Sequence, residues 1–71
     1  MAEEVRAPLA GNILDVLVQP GAKIEADDEI LVIEALKMEN FVYAPCGGKV
    51  KDVRVKKGDK VDEGDLLIVI E

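Results

Sequence analysis

Apolar positions gather in four short runs: ILDVLV at Ile13–Val18, ILVI at Ile30–Ile33, VKDVRV at Val50–Val55 and LIVI at Leu67–Ile70. Each is rich in β-branched residues, which suit a pleated, half-buried surface. No segment sustains a 3.6-residue apolar period, so no helix longer than a turn is expected. Pro20-Gly21 and Gly58-Asp59 read as turns. Pro8 and Pro45 have no backbone N–H to give a ladder, which places them at strand ends or edges. Short strands spaced about 8–12 residues apart predict a small all-β sandwich or barrel.

The pattern also repeats. A shift of 37 positions lays Val5–Glu34 over Val42–Glu71 without a gap, with about 13 of roughly 30 pairs identical. Ala7/Ala44, Pro8/Pro45, Gly11/Gly48, Asp15/Asp52, Gly21/Gly58 and Asp28/Asp65 are among them. Two copies are too few for a solenoid, so the repeat predicts one core with pseudo-twofold symmetry. Residues 1–71 then form a single domain, with repeats 5–34 and 42–71 joined by a hairpin, 35–41. Ile13, Val16 and Val18 fall on Val50, Val53 and Val55, so all six are expected in the core. Alternation breaks at Asp15 and Asp52 in both copies, which predicts a bulge at each. Leu14 and Leu17 fall on Lys51 and Arg54, so those two leucines are expected to point outward. There they would form a small apolar docking patch.

Composition narrows the chemistry. With 71 residues, the core is thin. No apolar run is long enough for a membrane span and Met1–Pro8 is no signal peptide, so no direct membrane insertion is expected. Cys46 is the one cysteine; it falls on Leu9 and reads as a packing residue in a reducing, cytoplasmic setting. A net charge of −6 and two aromatic residues, Phe41 and Tyr43, argue against nucleic acid as a partner. The chain has no His, Ser or Thr. This removes the usual nucleophile–base pairs and, with one Cys, the usual zinc sets. No catalytic residue and no metal site is expected, and the chain is not read as an enzyme by itself.

Ala35–Phe41 is the interior segment without a repeat partner, and it sits where a hairpin should join the two copies. A tight hairpin favours Asn-Gly or Asp-Gly, because both central residues take positive φ. Leu36-Lys37 breaks that rule, and such local breaks are often functional. The ordinary reading is a solvated lysine. The single occurrence, the symmetric placement and the apolar neighbours Leu36 and Met38 favour a specific role.

Glu34-Ala35-Leu36-Lys37-Met38-Glu39 closely resembles the attachment motif of biotin carrier domains, Glu-Ala-Met-Lys-Met-Glu. Ala7-Pro8 with Gly11, Pro20-Gly21, Ala44-Pro45 with Gly48, Gly58 and Leu67–Glu71 extend the resemblance from Val5 onward. The chain is thus similar to the biotinyl/lipoyl attachment domain family. That resemblance implies a flattened barrel-sandwich of two four-stranded antiparallel sheets with pseudo-twofold symmetry. It implies biotin as a covalent cofactor, joined by an amide to Nζ of Lys37, within the attachment motif Glu34, Ala35, Leu36, Met38 and Glu39. It also implies a role in carrying a carboxyl group between active sites. The implied partners are a biotin protein ligase and biotin carboxylase, carboxyltransferase or decarboxylase subunits. Leu36 stands where the motif usually has Met, a change that nearly conserves volume. The gap-free first copy leaves no room for the inserted thumb of some acetyl-CoA carboxylase carriers. That points to the pyruvate carboxylase, transcarboxylase or decarboxylase kind. A lipoyl carrier, which typically has Asp-Lys-Ala at the tip, and an unmodified interaction barrel are the alternatives.

Glu34 recurs as Glu71, so a strand role competes with recognition by the ligase; Glu39 has no such counterpart and reads as a ligase contact. Asn40 is a candidate for shaping the hairpin. The acidic group Glu25–Glu29 reads as a solvated turn.

Overall fold

The structure is a computed structural model that describes residues 2–71; Met1 lies outside the described residues. Eight strands follow one another: β1 (Glu3–Arg6), β2 (Gly11–Val16), β3 (Lys23–Ile24), β4 (Glu29–Ala35), β5 (Met38–Tyr43), β6 (Gly48–Val53), β7 (Lys60–Val61) and β8 (Leu66–Ile70). They form two four-stranded antiparallel sheets, ordered β1-β8-β6-β3 and β5-β4-β2-β7. Under the 37-residue shift, β2 and β3 fall on β6 and β7 with matching bounds, β4 falls on β8, and β1 falls within β5. Each sheet therefore takes two strands from each half of the chain.

Both inner faces are apolar. Ile13, Leu31, Ile33 and Val42 of one sheet meet Val5, Val50, Ile68 and Ile70 of the other, with Ile24, Ile30, Val61 and Leu67 in the same cluster. Among the described residues every buried side chain is apolar, so the core carries no unpaired polar group to offset its gain.

The alternation breaks at Asp15 and Asp52 are bulges. Register shifts between Ile13 and Asp15 in the β2–β4 pair, and between Val50 and Asp52 in the β6–β8 pair. Pro8 and Pro45 sit in bends just beyond β1 and β5. The repeated Asp28 and Asp65 also have a structural cause. Their Oδ2 atoms accept from the N–H of Glu25 and of Asp62, both at 2.8 Å, and close the two equivalent turns. The repeated glycines Gly11 and Gly48 start β2 and β6 under a crossing backbone. A Cβ at Gly48 would come within 2.6 Å of the Glu71 carbonyl oxygen, and one at Gly11 would collide with that of Glu34.

Several expectations need correction. The runs Ile13–Val18 and Val50–Val55 are strands only to Val16 and Val53, after which the chain leaves to cross towards the other sheet. Consequently Val16, Val18, Val53 and Val55 are half-buried and pack against the margin of the core, whereas Ile13 and Val50 lie inside it. The second turn is Lys57-Gly58, one residue earlier than Gly58-Asp59, and matches Pro20-Gly21. Leu17 is exposed as expected, but Leu14 is half-buried at its bulge. Glu3–Arg6 do not cover either leucine, because β1 pairs with β8 in the opposite sheet.

These assignments separate two truncations. Ile33→Ala, at a fully buried position, should cost about 2–5 kcal/mol. Val53→Ala, at the core margin, should cost only about 1 kcal/mol. Thermal unfolding midpoints check this: similar losses from the two changes would contradict the margin placement.

Candidate functional site

The motif forms the β4–β5 hairpin, the most extensively paired strand junction in the molecule. Pairing runs from Glu29↔Tyr43 through Val32↔Phe41, Ile33↔Asn40 and Glu34↔Glu39 to Ala35↔Met38. Ala35 is buried, so the hairpin is held by packing up to its last pair. Only Leu36 and Lys37 remain to turn the chain, and both take positive φ, 54° and 64°. This is the two-residue turn whose twist matches the flanking strands. For residues with a Cβ the left-handed region costs roughly 1–2 kcal/mol each. The register of two long strands imposes that cost, and neither turn residue relieves it.

The turn places its side chains far from the core. Leu36 is 94% exposed and Met38 is 66% exposed; Lys37 is exposed as well. Two ion pairs occur among the described residues, Arg6–Glu4 and Arg54–Asp52, and Lys37 belongs to neither. Its amine thus stands on a two-residue tip, open to solvent. Asn40 shapes the tip as expected: its Nδ2 donates to the carbonyl oxygen of Met38 at 3.2 Å.

Glu34 and Glu39 lie directly opposite one another at the root of the tip, and both are exposed. Like charges so placed are destabilising, so the two carboxylates do not stabilise the hairpin by charge. Asn12 follows Glu34 across the sheet and Lys60 follows Asn12. Glu34 therefore serves as a β4 residue over Gly11 and as part of an acidic root. Glu39 occupies the facing half of that root. The structure brings all six motif residues together, with Ala35 inward and the other five presented to solvent. What the sequence did not single out is that Phe41 and Tyr43 continue the exposed row of β5 below Glu39. The mismatch of Tyr43 with Arg6 in the repeat carried that signal.

The tip presents a primary amine that can be acylated, and no cluster of three metal-ligating side chains occurs among the described residues. A biotinyl group on Nζ would fit, since nothing crowds the amine and the flanking side chains are flexible and apolar.

Comparison with known proteins agrees with this geometry. The family model described as "Biotin-requiring enzyme" matches residues 3–70. The gamma subunit of glutaconyl-CoA decarboxylase from Acidaminococcus fermentans is 56% identical over 36 residues, which span 51% of this chain and 25% of that subunit. Urea carboxylase from Kluyveromyces lactis superposes with a TM-score of 0.93 at 37% identity, over 100% of this chain and 6% of the enzyme. The lipoyl domain of the 2-oxoglutarate dehydrogenase complex from Azotobacter vinelandii superposes with a TM-score of 0.82 at 26% identity, over 96% of this chain and 94% of that domain. The chain thus spans a quarter of the decarboxylase subunit it matches.

The strained turn yields a stability test. Leu36→Asn with Lys37→Gly installs residues suited to positive φ and should raise the unfolding free energy by about 1–2 kcal/mol, as read from chemical denaturation. An unchanged or lowered midpoint would show that the turn is not strained.

Proposed function

This chain belongs to the family of biotin-requiring enzymes, and from that premise we propose that it is a biotin carboxyl carrier with the cofactor on Lys37. The single observation that carries the assignment to Lys37 is the placement of an unpaired amine on a strained, two-residue tip. Biotin, once bound, supplies a ring that accepts a carboxyl group at one active site and yields it at another.

The chain's own residues do the rest. Forming an amide takes protons from the amine, so a biotin protein ligase must accept them. It must also bring an activated biotinyl carbonyl to Nζ; the amide forms as the activating group leaves. Glu34 and Glu39 at the root, and Leu36 and Met38 beside the lysine, give that ligase a shape to read beyond the amine itself. The hairpin's pairing down to Ala35↔Met38 keeps the tip rigid, so the flexible part of the arm is the lysine stem. Tethering then raises the local concentration of the carried group at each site. The chemical steps belong to partner subunits, of the carboxylase, transcarboxylase or decarboxylase kind. On this reading the carrier works in the cytoplasm, where a free thiol such as Cys46 persists.

A lipoyl group on Lys37 is the second reading, favoured by the superposition on a lipoyl domain. Leu36 and Met38 at the tip oppose it. Intact mass after expression with an active biotin ligase decides the matter. One biotinyl group is expected, mapped to Lys37 and absent from Lys23, Lys49, Lys51, Lys56, Lys57 and Lys60. Lys37→Arg keeps the charge and should abolish labelling with an unchanged unfolding midpoint. Biotin spread over several lysines, or a lipoyl mass, would overturn the reading.

Restoring the usual motif by Leu36→Met should leave ligation within about twofold, since the swap conserves volume. Transfer by partner subunits should be the step that responds, because the thioether adds flexibility beside the arm. Side-by-side rates of ligation and transfer check this order of sensitivity.

A further inference from the structure

The pseudo-twofold makes the two outer faces of the sandwich directly comparable, and they differ in kind. On the β1-β8-β6-β3 face, Glu4 and Arg6 form an ion pair at 2.8 Å, and Asp52 and Arg54 form another at 3.2 Å. The equivalent positions on the other sheet are Phe41 and Tyr43 on β5, and Asp15 and Leu17 at the end of β2. Lys51 is likewise matched by Leu14. Phe41, Tyr43 and Leu17 are 44%, 53% and 45% exposed.

Val32 joins them into one surface. It pairs with Phe41 on one side and with Asp15 on the other. It is only 7% exposed, yet it lies outside the core cluster. Its cover therefore comes from the outer-face side chains around it; the equivalent Val69 is only half-buried. The Leu17 N–H donates to the Ile30 carbonyl at 3.0 Å, while Tyr43 pairs with Glu29. Leu17 and Tyr43 thus flank β4 about two strand spacings, or roughly 10 Å, apart. The strip crosses β5, β4 and β2, and turns over the β5 edge into an open groove of about 420 Å3 lined by Val5, Pro8 and Pro45 and by the charged Glu3, Glu4 and Arg6.

The rim carries a sign. Carboxylates predominate: Asp15, Glu29, Glu34 and Glu39 are all exposed around the strip, Lys60 is out on the far edge strand β7, and Arg6 stands beside Glu3 and Glu4 along the adjoining groove. Two copies set face to face would oppose these carboxylates, which disfavours self-pairing.

We propose that the outer face of the β5-β4-β2-β7 sheet is the docking surface of this carrier, for a protein surface with an apolar centre and an arginine- and lysine-rich rim. The partner's identity, an enzyme subunit that loads or unloads the carried group, rests on the biotin-carrier reading; the surface does not. The face belongs to the sheet that carries the Lys37 hairpin, so docking there fixes the origin of the arm. A strip of this modest extent suits a partner that must bind and leave repeatedly.

The other half of the chain supplies the test variant. Leu14→Lys, Leu17→Arg, Phe41→Glu and Tyr43→Arg together copy Lys51, Arg54, Glu4 and Arg6 onto this face, residues that the same fold already accommodates. A milder variant, Phe41→Ala with Tyr43→Ala, guards against misfolding of the first, and thermal unfolding monitors both. The probes are the purified biotin carboxylase and carboxyltransferase or decarboxylase subunits of the same cell. With biotinylated carrier as substrate, the variants should raise KM at least about tenfold with kcat little changed, while ligation at Lys37 stays at the wild-type rate. With unmodified chain, amide shifts on titration with the same subunits should map to β5, β4 and β2. An unchanged KM, or shifts confined to Lys49–Arg54, overturns the proposal. Dimers in sedimentation that the four-residue variant abolishes would assign the face to a second copy and overturn the partner. Should Lys37 carry no biotin, the functional reading fails alone, because titration of the unmodified chain still decides the docking surface.

Discussion

Neither half of this chain can bury its own apolar face. Each sheet takes two strands from each half, so Ile13 and Ile33 share one cluster with Val50, Ile68 and Ile70 of the other half. In a molecule of 71 residues this mutual burial is the one source of apolar stabilisation large enough to order the backbone. The rest follows from it. Strand order, the two bulges, the glycines at the starts of β2 and β6 and the aspartate-closed turns all serve to bring two equivalent four-strand units into one core.

The hairpin depends on that core from a distance. Leu36 and Lys37 adopt a backbone conformation that neither prefers, and they hold it because Ile33 and Leu31 are fixed in the interior and set the β4–β5 register below them. Stability contributed by the core thus offsets strain at the tip. The result is a rigid support ending in a flexible side chain. Such a division fits the carrier proposed above, in which one lysine stem would set the reach of the arm and the sheet beneath would set the chain's place on its partner.

Symmetry also exposes where the halves have parted. The core positions match across the repeat, because each must fill the same interior. The outer faces have no such obligation. One face places ion pairs where the other places Phe41, Tyr43 and Leu17. A pseudo-symmetric fold therefore carries its own control: a position that differs from its mate without a packing reason is a position under some other demand.

The sequence by itself determined the repeat, the all-β class, the bulges at Asp15 and Asp52, the places of Pro8 and Pro45, and the singular segment at Lys37. These are legible because identical residues 37 positions apart answer to identical local geometry. Tertiary structure alone decided three things. Val53 and Val55 are apolar in pattern but lie at the core margin, since burial depends on distance from the sandwich centre and not on alternation along a strand. Leu36 and Lys37 take positive φ against their own preference, since register between paired strands outweighs a turn's local energy. Leu17 and Tyr43 share one face from opposite sides of β4, since strand pairing brings together residues that the linear pattern keeps far apart.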